Sequence, residues 1–186
     1  MKATEILIEE HLVINRVLAA LESAAHSAEN GQPVRPAFFY DAADFVRGFA
    51  DGCHHRKEEN VLFKAMAEAG IPVTGGPIGV MLSEHEQGRQ LIRAMRTAAQ
   101  EWEAGSQAAR LSAAQAALGY VQLLRQHIDK ENGILFPMAD RALSPSQQKK
   151  VADDFEHVEH EETGEGVHEK YLALAEALET EAASWR

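Results

Sequence analysis

Apolar residues return along this chain in alternating steps of three and four. In the first segment the row is Leu7, His11, Ile14, Leu18, Leu21 and Ala25. A later segment carries Ile78, Met81, His85, Gly88, Ile92, Met95 and Ala99, and another Ala113, Ala117, Tyr120, Leu124, His127, Glu131 and Ile134. Between them, Phe39, Ala43, Val46 and Ala50 lead on to His54, Glu58 and Leu62. Such rows are the core-facing stripes of packed helices. No two-residue alternation lasts long enough to mark a strand.

The breakers divide the chain into helices. The first runs from about Thr4 to Asn30 and stops at Gly31. The second opens near Pro36 and ends near Gly70. The loop GIPVTGGPIG follows, with paired Gly and two Pro. A third helix spans about Ile78 to Glu103. A fourth starts after Ser112 as N-cap and reaches Pro137. Ser144-Pro145 opens a fifth, Gly164 and Gly166 break it, and a short sixth follows. The expected fold is all-α: an antiparallel up-down four-helix bundle over about residues 4–140, with a C-terminal helical extension over about 144–186. The 186 residues form one expected domain.

The stripes contain polar residues where a core should be apolar. A His interrupts each of the four, and a Glu follows in two. A repeat orders them. HHRKEENVLF, from His54, aligns without a gap with HIDKENGILF, from His127, pairing Glu58 with Glu131. EEHLVINRVL aligns with SEHEQGRQLI, pairing His11 with His85. By helical count His54 continues its stripe, whereas His55 falls with Asp51, Gly52 and Glu59 on the polar side. His55 and Glu59 are therefore expected outside the site.

An uncompensated buried polar group costs roughly 2–7 kcal/mol, and an unpaired carboxylate more. Four His and two Glu inside one bundle need partners, either one another or a metal. Residues four apart share a helix face, so each His-x-x-x-Glu presents both groups to one centre. Imidazole with carboxylate suits iron, zinc or manganese. The formal net charge of −11 argues against nucleic acid or an anionic membrane as partner. Cys53, the only cysteine, excludes an internal disulfide and a thiolate-rich site. No apolar run reaches the length of a membrane span and no signal-peptide pattern opens the chain, so a cytoplasmic location is expected.

The segments EEHLVINRVL, HHRKEENVLF, SEHEQGR and HIDKENGILFP resemble the hemerythrin family, specifically its bacterial HHE cation-binding branch. The resemblance implies a non-haem di-iron centre. His11, His54, His85 and His127 would be imidazole ligands, and Glu58 and Glu131 would bridge the metals. Ferritin-like bundles use Glu-x-x-His instead. Oxygen-carrying hemerythrins place a second His one turn after the third-helix ligand. Arg89 stands there, so a fifth imidazole is expected to be missing. The implied partner is O2, or another small diatomic or peroxide. The alternatives are a di-iron oxidoreductase acting on peroxide or nitric oxide, an iron donor in iron–sulfur repair, and a structural module with one metal. DFEHVEHEETGEG holds a third His-x-x-x-Glu, His157 with Glu161, read as a solvated face unless the tail folds back to supply a ligand. His26 is expected to be exposed, and Cys53 to be a small core residue.

Overall fold

A computed structural model describes residues 2–164 and 166–185 of the chain, the side chains of residues 161–163 excepted. Every regular element among them is helical. Helix α1 (Ala3–Glu29) is 27 residues long, or roughly 40 Å at 1.5 Å per residue. Glu5 accepts the Lys2 backbone N–H at 2.8 Å in its first turn, and Gly31 leaves it at φ +72°. Pro36 starts α2 (Pro36–Phe45), where its missing N–H costs no helical bond.

The second helix does not stay α-helical. Val46–His55 and Glu58–Leu62 are π-helical, and α3 (Phe63–Glu68) completes the run. In a π-turn the amide reaches back five residues rather than four, so the turn is wider. Gly52 permits this: a Cβ there would stand 2.9 Å from the Arg47 carbonyl oxygen, five residues back. Helix α4 (Pro77–Glu103) follows the glycine-rich loop.

The fourth helix differs from expectation at both ends. Helix α5 (Gln107–Lys130) begins before Ser112, with Ser106 at the N-cap position. It then passes through a π-turn, Glu131–Leu135, into α6 (Phe136–Ala142). Pro137 therefore lies inside the helical run. A proline ring would clash with the carbonyl four residues back in a continuous α-helix, and the wider turn just before it relieves that contact. Helix α7 (Pro145–His157) opens on a capping box, Ser144 with Gln147, and leads into the π-helical Val158–Thr163. Gly164 and Gly166, at φ +106° and +76°, break the chain before α8 (Val167–Ala183).

Helix α5 packs on α1 and α4, α2 packs on α4, and α8 lies against α1 and α2. Two apolar clusters result. One contains Leu18, Phe39, Phe49, Met95 and Leu124; the other contains Leu7, Leu62, Met81, Leu135 and Phe155. Along α1 the chain passes from the second cluster to the first, along α2–α3 back again, along α4 forward and along α5–α6 back. At each passage it carries its His or Glu through the boundary, so a buried polar layer separates the clusters. No described helix is long and apolar enough to cross a membrane.

Candidate metal centre

The polar layer contains His11, His54, His55, Glu58, His85, His127 and Glu131, none more than 3% exposed. Their donor atoms form two groups. His11, His54, Glu58 and Glu131 converge in one, and His55, Glu58, His85 and His127 in the other, each with its ligand atoms within 4.8 Å of one another. Glu58 belongs to both. Its Oε1 lies 3.6 Å from His54 Nε2 and its Oε2 3.4 Å from His85 Nε2. Glu131 spans the same gap, with Oε2 3.1 Å from His11 Nε2 and Oε1 3.1 Å from His127 Nε2.

The six residues of the sequence pattern thus come together, and His55 joins them. That corrects both the placement of His55 on the polar side and the expected absence of a fifth imidazole. The cause is the π-helical stretch that ends on His55. Neighbours on an α-helix are turned by about 100° and cannot both face one site. In the wider turn His54 enters one group and His55 the other. His55 stacks on His85 with ring centroids 3.9 Å apart. The doublet itself was the signal, and the repeat concealed it, because the position after His127 is Ile128.

Every imidazole is held from behind. Nδ1 meets Asn132 Oδ1 at 2.9 Å in His11, Glu10 at 2.9 Å in His54 and Asp51 at 2.8 Å in His55. It meets Glu59 at 2.7 Å in His85 and Glu84 at 2.9 Å in His127. Carboxylate and carbonyl oxygens accept only, so a proton sits on each Nδ1 and Nε2 is the nitrogen that faces inward. This is the arrangement that orients metal-binding imidazoles. Glu59, expected outside, is one of these partners. Glu10, Asp51, Glu84 and Asn132 had no periodic signal, because each lies off its helix stripe.

Inside the layer the hydrogen bonds stop. Both oxygens of Glu58, both of Glu131, and Nε2 of His11 and His54 are buried without a hydrogen-bond partner. His85 Nε2 and His127 Nε2 face one another at 3.1 Å. Buried anions of this kind cost several kcal/mol each unless a cation meets them. Protons meet the charge in part. Burial disfavours the His85 imidazolium, but Glu58 and Glu59 outweigh it and push its pKa up to about 9. Burial and the charge of His85 hold His55 well below its ordinary value. The donor set fits two cations between two carboxylates: inward Nε2 atoms, carboxylate oxygens without donors, and an outer ring that fixes the tautomers.

A family model described as the hemerythrin HHE cation binding domain matches residues 2–139. The chain belongs to the hemerythrin HHE cation-binding family. Uncharacterized proteins of Mycobacterium bovis and Mycobacterium tuberculosis are 28% identical to it over 166 residues, 88% of this chain and 63% of theirs. The chain thus spans under two thirds of the length of these curated relatives. No solved structure matches.

Around this HHE centre the C-terminal helices form an outer wall. Lys57, fully buried, donates to Glu10 at 2.6 Å and to Glu159 at 2.8 Å. His168 approaches Glu159 at 3.4 Å. Among the described residues the tail contributes to neither ligand group. His157 and His160 are exposed, as is His26, and the Glu161 side chain lies outside the described residues. Cys53 is buried, and burial raises its thiol pKa to about 11, as suits a core residue.

Proposed function

We propose that the chain holds a non-haem di-iron centre that binds or senses O2 or a related small molecule. The supporting scaffold is read as an antiparallel up-down four-helix bundle. The observation that carries the reading is the pair of carboxylates, Glu58 and Glu131, each suspended between two imidazole sets with no hydrogen-bond donor of its own. His11 and His54 would hold one iron, His55, His85 and His127 the other, and both carboxylates would bridge. Bound there, the iron pair supplies a redox-active site with open coordination for a small ligand.

The two halves are unequal. Three imidazoles would serve one metal and two the other, so the His11–His54 half offers fewer protein ligands. Phe136 stacks on His11 there at 5.6 Å between ring centroids, and it belongs to the same buried apolar cluster as Leu7 and Leu135. This apolar cluster would limit water at the His11–His54 half. Glu10, itself bound by Lys57, fixes the His54 ring.

The test is the absorption spectrum of iron-loaded chain before and after O2 is admitted. The reading expects a visible band that appears with O2 and fades when it is removed. Turnover of peroxide or nitric oxide without a stable adduct would favour an enzyme instead.

A further inference from the structure

A cavity of 420 Å³ lies between α2 and α4, outside the ligand set. Ala43 and Ile92 give it an apolar floor, and Arg47, Arg89, Arg93 and Arg96 line it with four guanidinium groups beside Asp51. In a chain of net charge −11 this lining holds four cations against one anion. Arg93 and Arg96 are only loosely committed. Arg93 pairs with Glu86 at 3.0 Å and Arg96 with Asp44 at 2.5 Å, and all four side chains are at least 40% exposed. Exposed pairs of this kind are weak and exchange readily. The Arg47 side chain has no ion pair or hydrogen bond among the described residues.

We infer that this cavity is a binding site for a small organic carboxylate. The guanidinium fork matches a carboxylate in two parallel hydrogen bonds. Ala43, Ile92 and the arginine stems accept an apolar body. Asp51 in the wall disfavours a dianion such as phosphate. The volume is that of a small-molecule site.

The site is wired to the metal centre. Arg89 donates to Glu59 at 2.6 Å, and Glu59 accepts from His85 at 2.7 Å. Asp51, 3.4 Å from Arg89, accepts from His55. A carboxylate that engages Arg89 therefore alters the supports of two imidazoles in the same half-site. This coupling rests on the metal reading above; the binding does not.

The experiment titrates the full chain, metal content measured, with benzoate at low ionic strength in a calorimeter. Benzyl alcohol is the neutral counterpart and inorganic phosphate the competitor. Saturable one-site benzoate binding is expected, weakened at least about tenfold in Arg47→Ala/Arg93→Ala at unchanged helicity and melting temperature. Saturable binding by metal-free chain would support the site even if the iron reading failed. No saturation by about 10 mM overturns it. So does equal binding of benzyl alcohol, undiminished binding by the double variant, or phosphate binding tighter than benzoate.

Discussion

His54 and His55 are consecutive in the chain, yet they serve opposite halves of one buried centre, with ring centroids 5.5 Å apart. Neither could be exchanged for its neighbour, because each Nδ1 is tied to a different carboxylate, Glu10 or Asp51. In His55→Ala the half with His85 and His127 keeps two imidazoles and loses the stacked ring. Elemental analysis should then find iron reduced from about two to about one per chain. An unchanged iron content would place His55 outside the ligand set.

The outer carboxylates would act on metal binding through the imidazoles they hold. Glu84 holds His127 through Nδ1 and is itself held by Lys130. Glu84→Gln can still accept but no longer balances the imidazole charge. Metal affinity, read by competition with a chromophoric chelator, should fall about 10–100-fold while the fold is retained.

Acid should weaken the scaffold through Glu10. Burial alone would raise its pKa, but His54 and Lys57 outweigh burial and bring it down to about 2, from an ordinary 4.5. A carboxylate with a depressed folded-state pKa stabilises fully above its unfolded value and loses that contribution as pH falls through the folded one. The contribution is on the order of 3 kcal/mol. Thermal melts of chelator-treated chain should show Glu10→Gln less stable than wild type near pH 7. The gap should narrow below pH 4.5 and close near pH 2.

Gly48 holds the C-terminal helix in place by what it lacks. A Cβ there would fall 1.9 Å from Tyr171 Cζ. Gly48→Ala must displace the ring and with it α8, costing about 1–3 kcal/mol. Limited proteolysis should cut faster near Gly164. Tyr171→Ala in the same chain should restore part of the protection.

Much of this was legible in the sequence. The stripes placed His11, His85 and Glu131 inward because their helices stay α-helical up to those residues. The gapless repeat paired the half-motifs. What escaped came from departures from that period. Val46–His55 widens into π-turns, and so a face count that assumes α-geometry puts His55 outside. The π-turn at Glu131–Leu135 lets the helix run through Pro137, where a breaker rule ends it. The outer ring of Glu10, Asp51, Glu59, Glu84 and Asn132 depends on contacts between helices, which spacing along one helix does not encode.

The most direct test of the di-iron centre is the metal content of chain purified anaerobically from iron-replete cells. Two irons per chain are predicted, falling below about 0.2 when Glu58 and Glu131 are both changed to Ala. A single zinc, or no metal at all, with the double variant no different from wild type, would contradict the account.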